Sequence, residues 1–205
     1  MTERKRLGVY GGTFSPPHLG HIRAAERFIE ELSLDELIII PAFLPPHKEI
    51  DGEATAEERI EMCSLAFSHI EKARISDMEI KRGGRSYTYL TLEELTEENT
   101  DLFLLVGTDM ILTFHTWKNP ERIFDLATIC FVRRENDEAL DLEIKKKCEE
   151  YKDKFGAKIV EIPLSPLEVS STELRLSFKG DFCESNLLSA PVFDYIKRKG
   201  LYSGE

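Results

Sequence analysis

Short apolar runs alternate with amphipathic stretches along most of the chain, and this alternation restricts the fold more than any other feature. The apolar runs are rich in β-branched residues, which is typical of strands buried on both faces of a parallel sheet. They occupy residues 7–10, 37–41, 73–76, 102–106, 127–132 and 158–162. The stretches between them, residues 19–32, 55–70, 88–97, 120–126 and 140–155, carry apolar side chains at helical spacing. The pattern predicts an α/β fold, a doubly wound (Rossmann-like) parallel sheet with helices on both faces.

The end of the chain departs from this alternation. After Pro163 the pattern predicts two helices, residues 171–178 and 190–199, and no further strand. No repeat, low-complexity tract or long Gly/Ser linker divides the 205 residues. We therefore expect one domain, residues 1–205, with a C-terminal helical segment. The longest stretch without a pattern, residues 42–54, contains prolines and a histidine and is a candidate lid.

The charge balance limits the partners of the protein. The chain has 27 Lys and Arg against 38 Asp and Glu, which gives a net charge of −11. Such an acidic protein lacks the basic surface that nucleic acids and anionic membranes attract, so we expect neither as a partner. A small anionic substrate fits this composition, because salt screens charges beyond roughly 8 Å and the cations nearest a pocket dominate its field.

The cysteines and the N-terminus indicate the compartment. Cys63, Cys130, Cys148 and Cys183 are scattered, without a CxxC pair or zinc-finger spacing. Reduced thiols in a cytoplasmic protein are the simplest interpretation. The first six residues are polar and basic, and a glycine pair interrupts the apolar run that follows them. We therefore expect neither a signal peptide nor a membrane span.

The strongest local signal is the sequence GGTFSPPHLGH, residues 11–21, between the first strand and the first helix. Gly11 and Gly12 let the backbone turn sharply and approach a ligand closely. The N-terminus of the following helix offers N–H groups and a partial positive charge to a phosphate. We expect His18 and His21, three residues apart, to project from one helical face and to donate to phosphate oxygens. Such donors stabilise charge at a reacting phosphorus by roughly 2.7 to 4 kcal/mol each.

A second polar sequence, VSSTELR at residues 169–175, follows the last predicted strand. Either Ser170 or Ser171 can cap a helix here. Thr172 and Arg175 lie one turn apart on the same helical face and supply a hydroxyl and a guanidinium. Alone, this sequence would be an ordinary capping box with a surface arginine. Its position after the last strand favours a phosphate site instead.

These two sequences resemble the two signatures of the HxGH nucleotidyltransferase superfamily. Three further segments are similar to the bacterial nicotinate-nucleotide adenylyltransferase family: PPHK at residues 45–48, RSYT at 85–88, and GTD at 107–109 followed by Trp117. The match extends from the first strand to YIKRKGLY at residues 195–202, nearly the whole chain. The resemblance implies an enzyme that transfers AMP from ATP to nicotinate mononucleotide, giving deamido-NAD and pyrophosphate in NAD biosynthesis.

The resemblance also implies roles for individual residues. Lys48 would close over phosphates, Asp109 would contact ribose hydroxyls, and Trp117 would stack on the pyridine ring. Thr88 would lie where the nicotinate carboxylate binds. The residues assigned to catalysis are His18, His21, Lys48 and Arg175. The ATP site comprises Gly11, Gly12, Thr13, Phe14, His18, His21, Gly107, Asp109, Ser170, Ser171, Thr172 and Arg175. The mononucleotide site comprises Thr13, His47, Lys48, Thr88, Asp109 and Trp117.

The expected chemistry is an in-line attack by the mononucleotide phosphate on the α-phosphorus of ATP, without a covalent enzyme intermediate. Mg²⁺ is expected to arrive on the ATP phosphates, because the sequence shows no carboxylate cluster spaced for an all-protein cage. ATP and nicotinate mononucleotide are therefore the expected partners. The sequence is also compatible with a homo-oligomer.

Two positions depart from the family pattern. Ser15 stands where the family usually has aspartate, and RRE at residues 133–135 replaces a turn that is usually richer in proline and glycine. Three other interpretations stay open. They are the same chemistry on nicotinamide mononucleotide or another phosphorylated acceptor, a nucleotide-binding regulator without turnover, and a zinc module that uses the two histidines and the cysteines. Substrate trials distinguish the acceptors, and they would reveal a regulator as a protein that binds ATP without producing pyrophosphate. Metal analysis of the purified protein tests the zinc module.

Overall fold

The computed structural model describes residues 4–46, 54–132, 138–164, 169–179 and 185–203. The six strands in these ranges form one parallel sheet. They are β1 (Lys5–Gly12), β2 (Glu36–Pro41), β3 (Ala73–Ile75), β4 (Thr100–Gly107), β5 (Ala127–Val132) and β6 (Ile159–Ile162). Across the sheet the order is β3-β2-β1-β4-β5-β6, so the winding reverses between β1 and β4. The predicted doubly wound sheet is confirmed, and each predicted strand agrees within two residues at either end.

Nine α-helices accompany the sheet in the described ranges. They are α1 (Leu19–Glu31), α2 (Ala56–Phe67), α3 (Met78–Arg82), α4 (Thr88–Leu95), α5 (Thr108–Thr113), α6 (Pro120–Leu126), α7 (Glu138–Phe155), α8 (Ser171–Lys179) and α9 (Ala190–Lys199). The sequence does not predict α3 or α5, because five or six residues are too few to show a helical period. The C-terminal segment contains α8 and α9 and, among its described residues, no strand, as predicted.

The sheet separates two apolar cores, one on each face. Side chains alternate along a strand, so Tyr10 of β1 packs in one core and Val9 in the other. The Tyr10 side is covered by α1, α2, α8 and α9, which contribute Ile22, Met62, Leu174 and Val192. The Val9 side is covered by α4, α5, α6 and α7, which contribute Leu92, Ile111, Ile123 and Ile144. Helices on both faces leave the strand ends open for a site.

The start of α2 is fixed by a reciprocal cap. Oγ1 of Thr55 accepts a hydrogen bond from the N–H of Glu58 at 3.2 Å, and the Glu58 carboxylate accepts one from the N–H of Thr55 at 2.9 Å. This capping box satisfies two backbone donors that the first turn would otherwise leave open. It sets the register with which α2 faces the core.

Within the ranges given above, no helix combines the length and the apolar composition that crossing a membrane demands.

Candidate active site

A cavity of about 330 Å³ opens at the carboxyl ends of β1 and β4, where the winding of the sheet reverses. Ligands of doubly wound sheets bind at this position. The loop after β1 and the first turns of α1, α5 and α8 contribute to its wall. The cavity brings together these predicted site residues: Gly11, Gly12, Thr13, Phe14, His18, His21, Gly107, Asp109, Trp117, Ser170, Ser171, Thr172 and Arg175.

The two histidines lie at the N-terminus of α1 with their rings stacked. The ring centroids are 3.7 Å apart and the ring planes meet at 28°. The expectation that both project from the helix is wrong for His18, which precedes the helix with extended backbone (φ −133°, ψ 174°). An N-cap residue has non-helical backbone angles, so the histidine spacing alone does not place both on helical turns. The rings nevertheless meet.

A hydrogen bond within the pair determines which nitrogen of His21 can donate. The backbone N–H of His18 donates to Nδ1 of His21 at 3.2 Å. Nδ1 is therefore an acceptor, and the proton of the neutral imidazole is on Nε2. Because His21 lines the cavity, this N–H is suited to an anionic oxygen there. The pair thus offers imidazole donors at the positive end of a helix.

Gly20 makes the histidine stack possible. A Cβ at this position would lie 3.0 Å from Nδ1 of His18 and 2.9 Å from a methyl carbon of Val169. A side chain here would displace either the His18 ring or the segment that leads into α8. The sequence does not reveal this role, because the contact joins two segments that are distant along the chain.

The loop after β1 holds Phe14 in a strained conformation. Its φ is +50°, in the left-handed region, which costs a residue other than glycine about 1 to 3 kcal/mol. Its ring is 2% exposed and packs edge-on against Tyr10, His21 and Phe67. This packing keeps the strained residue in place, and Phe14 acts as a rigid support for His21.

Arg175 reaches the same loop from α8. Its side chain is buried, and Nη1 donates to the carbonyl oxygen of Ser15 at 2.9 Å. Nη2 lies 3.4 Å from Oγ1 of Thr172, one turn earlier on the helix. The structure therefore places the N-terminal histidines and this distant guanidinium on one cavity.

The first turn of α8 is joined to the loop as well. Oγ of Ser170 accepts from the N–H of Thr172 at 3.2 Å, so Ser170, rather than Ser171, caps the helix. The hydroxyl of Ser171 donates to the carbonyl oxygen of Pro16 at 3.0 Å. The N-termini of α1 and α8 thus open on the same space, which gives the cavity two positive helix ends.

Ser15, where the sequence departs from the family pattern, is buried in this network. Its hydroxyl lies 2.9 Å from the hydroxyl of Tyr202, near the end of the chain. Its carbonyl oxygen accepts from Arg175. Sequence analysis does not find Tyr202 as a residue of the site, because a tyrosine in a C-terminal segment gives no local signal of such a contact.

A second cavity, of about 190 Å³, adjoins the first. Thr88, the first residue of α4, lines it, as do Pro45 and Pro46 of the candidate lid. Gly11, Gly12, Thr13 and Trp117 line both cavities. The two cavities therefore meet at the glycine pair and the single tryptophan.

Trp117 is held at this junction by stacking. Its ring lies parallel to that of Phe114, with centroids 4.4 Å apart and planes at 14°. The side chain is half-buried and so keeps part of its surface accessible. This placement is compatible with core packing, the usual role of a lone tryptophan, and with ligand stacking, the role that the resemblance implies.

The second cavity also contains a buried carboxylate that the sequence does not predict as a site residue. Glu79 of α3 accepts from the hydroxyl of Thr91 at 2.6 Å, and Arg82 donates to Thr91 at 2.9 Å. Thr91 lies one turn after Thr88, so this network holds the start of α4 against the cavity. The unpredicted short helix α3 is the reason that sequence analysis misses Glu79.

Asp109 lies in the first turn of α5, directly after β4, and lines the first cavity. This is the expected position at a strand's carboxyl end. Gly107, at the end of β4, precedes the helix with extended backbone. Two predicted site residues, His47 and Lys48, lie outside the described residues, as do residues 133–135 and Cys183.

Neither a metal cluster nor a reactive thiol is present among the described residues. No group of three His, Cys, Asp or Glu in these ranges is arranged to hold a metal ion. Cys63, Cys130 and Cys148 are buried and free. Burial raises the pKa of Cys130 to about 12 and also raises the pKa of Cys63 and Cys148. These thiols stay protonated at neutral pH, which makes them poor nucleophiles.

The chain is similar to known proteins over nearly its whole length. The cytidylyltransferase-like family profile matches residues 9–177. The chain is 36% identical to a Desulfatibacillum aliphaticivorans protein over 96% of this chain and 99% of that protein. It is 37% identical to a Clostridium acetobutylicum protein over 97% of this chain and 99% of that protein. Both relatives bear the curated name "Probable nicotinate-nucleotide adenylyltransferase".

Solved structures show the same fold. Plasmodium falciparum nicotinic acid mononucleotide adenylyltransferase, complexed with APC, superimposes with a TM-score of 0.75 at 19% identity, covering 98% of each chain. The same protein complexed with NaAD gives a TM-score of 0.73 at 20% identity, again covering 98% of each chain. At these identities the likeness establishes the architecture alone.

Proposed function

Because the chain belongs to the nicotinate-nucleotide adenylyltransferase family of the cytidylyltransferase-like group, we propose that it transfers AMP from ATP to nicotinate mononucleotide. The products are deamido-NAD and pyrophosphate, in NAD biosynthesis. One observation carries the proposal. His18, His21 and Arg175 line a single cavity, and that cavity adjoins a second one with Thr88 and Trp117.

ATP is assigned to the larger cavity. The first turns of α1 and α8 present backbone N–H groups, two imidazoles, the Thr172 hydroxyl and the Arg175 guanidinium, all of which suit a polyanion. The other residues predicted for the ATP site that line this cavity share that role, and Asp109 suits ribose hydroxyls as an acceptor. The mononucleotide is assigned to the smaller cavity, with Trp117 for its pyridine ring and Thr88 for its carboxylate.

The cavity residues carry out the reaction by positioning and charge neutralisation. A phosphate oxygen of the mononucleotide forms a bond to the α-phosphorus of ATP. The bond from that phosphorus to the oxygen bridging to the β-phosphorus breaks, and its electron pair leaves with pyrophosphate. Imidazole donors from His18 and His21 stabilise charge on the transferred phosphoryl group, and Arg175 with Thr172 neutralises the leaving pyrophosphate. Lys48 and His47 are assigned to closure over the phosphates from the family resemblance alone.

Mg²⁺ is assigned to the ATP phosphates. The absence of a three-ligand group among the described residues favours an ion held by phosphates and water, with Asp109 as the nearby protein carboxylate. When bound, the ion would neutralise charge on the triphosphate. We further propose that the enzyme works in the cytoplasm as one domain, without nucleic-acid or membrane partners. This function is compatible with a homo-oligomer.

Substrate trials test this function. The purified chain is incubated with MgATP and either nicotinate or nicotinamide mononucleotide, and pyrophosphate and dinucleotide are quantified together. We expect both products in equal amounts with nicotinate mononucleotide, and slower turnover with the amide. A protein that binds ATP but releases no pyrophosphate with either acceptor would be a regulator, and the proposal would be wrong. Turnover with only the amide would correct the acceptor.

A further inference from the structure

Among the described residues, Arg59 is the most deeply buried charged residue. It lies near the start of α2, directly after Glu58 of the capping box, and is 1% exposed. Its Nη1 donates to the carbonyl oxygen of Thr13 at 3.0 Å. Thr13 belongs to the loop that follows β1. A guanidinium from a helix 46 residues away thus holds the backbone of the candidate active-site loop.

Within the described ranges, no ion pair matches the charge of Arg59. Among the described residues no carboxylate forms a salt bridge with it, and its Nε has no hydrogen-bond acceptor. Burial lowers the pKa of Arg59, although a guanidinium stays charged at neutral pH. A buried cation without a paired anion is costly, so a hydrophobic side chain would serve packing better. The hydrogen bond to the loop is the contact that a hydrophobic side chain could not make.

The loop is braced symmetrically by two buried arginines. Arg59 donates to the carbonyl oxygen before Phe14, and Arg175 donates to the carbonyl oxygen after it. Between them Phe14 has φ of +50°, a conformation that persists only when its surroundings enforce it. The Phe14 ring in turn packs on His21. A path of direct contacts therefore links Arg59 to the imidazole through Thr13 and Phe14.

We propose that Arg59 is a positioning residue for the adenylyl transfer, an inference that rests on the proposed function. Arg59 lines neither cavity, so it does not touch the substrates. It fixes Thr13 and keeps Phe14 in its strained conformation, and Phe14 holds His21 where the charge of the transition state develops. Displacing such a group by about 1 Å costs on the order of 100-fold in rate.

Two substitutions of Arg59 separate this role from mere packing. Arg59→Lys keeps the charge and a donor nitrogen, whereas Arg59→Met keeps an unbranched apolar stem and removes both. Met62→Ala is the matched control, because Met62 is also fully buried on α2 and lines neither cavity. We expect Met62→Ala to lower the melting temperature by roughly 5 to 10 °C and to leave kcat within twofold of the wild type.

The decisive readout is the split between kcat and KM, measured per folded molecule well below each melting temperature. We expect kcat to fall about 10-fold in Arg59→Lys and about 100-fold in Arg59→Met, with KM for both substrates within threefold. If Arg59→Met does not fold, Arg59→Lys decides alone. Unchanged kcat in the folded Arg59 variants would overturn the inference, and so would an equal loss of kcat in Met62→Ala. A wild-type chain without turnover would instead contradict the proposed function.

Discussion

Gly11 and Gly12 are the last two residues of β1, but their surroundings differ. A Cβ at Gly12 would lie 2.9 Å from the ring of Phe14, which is buried and cannot move aside. A Cβ at Gly11 would meet nothing within 4 Å. The same residue type therefore serves packing at one position and leaves open space at the next. That space faces both cavities.

This difference predicts that alanine will affect stability at Gly12 and ATP binding at Gly11. Gly12→Ala forces Phe14 to shift and should lower the free energy of unfolding by about 1 to 3 kcal/mol, the usual cost of overpacking. Gly11→Ala should leave stability within about 0.5 kcal/mol and raise KM for ATP, because the methyl group occupies ligand space. Urea unfolding and steady-state kinetics measure the two effects. Equal destabilisation by both substitutions would contradict the assignment of Phe14 as a fixed support.

At the scale of elements, helix N-termini at the switch point organise the site. α1 brings the histidines and α8 brings Arg175, while the turns that follow β4 bring Asp109 and Trp117. The glycine pair and Trp117 border both cavities, so this junction is where two substrates would meet. The arrangement explains how a chain with a net charge of −11 can hold a polyanion: the local helix ends and cations outweigh distant acidic residues.

Trp117 offers a direct probe of the smaller cavity. As the single tryptophan, it should report mononucleotide binding by a change in intrinsic fluorescence. Trp117→Ala should raise KM for nicotinate mononucleotide by about 5- to 100-fold, the range expected for loss of aromatic stacking, with little change in kcat. Trp117→Phe keeps an aromatic face and should retain most of the binding. A Trp117→Ala enzyme with unchanged KM would assign the residue to packing on Phe114 alone.

Element prediction succeeded where side-chain periodicity was long enough to detect. The six predicted strands and all seven predicted helices, the shortest being residues 120–126, are present because burial on both faces or on one stripe leaves a repeating pattern. α3 and α5 escaped because they span only five and six residues. Their omission concealed Glu79, which braces α4 in the second cavity.

At the scale of the whole molecule, the amino ends of three strands are tied together by one carboxylate. Glu36 of β2 pairs with Lys5 of β1 at 2.6 Å and with Arg74 of β3. Burial alone would raise the pKa of Glu36, but the hydrogen bonds from Lys5 and Arg74 outweigh it and lower the pKa. The charged form is therefore stabilised in the folded state. This clamp lies at the opposite end of the strands from the site.

The clamp predicts a specific dependence of stability on pH. A lowered folded-state pKa contributes stability that is present above the unfolded pKa, about 4.3 for glutamate, and that is lost as the pH falls through the folded pKa. Glu36→Gln should therefore lower the free energy of unfolding by about 0.5 to 1 kcal/mol at neutral pH, and the difference should shrink below about pH 4.3. Glu71→Gln, at an exposed position in the turn before β3, is the control. A difference that is constant from neutral to acid pH would contradict the charge pairing.

The candidate site was predictable to the extent that its residues occur in contiguous sequences. Residues 11–21 and 169–175 carry local signals, whereas Gly20's contact with Val169, the Ser15–Tyr202 pair and the bond from Arg59 to Thr13 arise only when distant segments pack. The position of His18 before the helix also required the backbone angles. Long-range contacts of this kind leave no mark on a single sequence, and the structure supplied them.

We propose that the stacked imidazoles at the start of α1 catalyse adenylyl transfer. The most direct test of this proposal is the kcat of His18→Ala with saturating MgATP and nicotinate mononucleotide, measured by pyrophosphate release. His69→Ala serves as the control, because His69 is an exposed histidine that pairs with Glu26 on the surface. We expect a loss of about 100- to 1,000-fold for His18→Ala, as for removal of one donor to a transition-state anion, and wild-type rates for the control. Undiminished turnover by a folded His18→Ala enzyme would contradict the proposal.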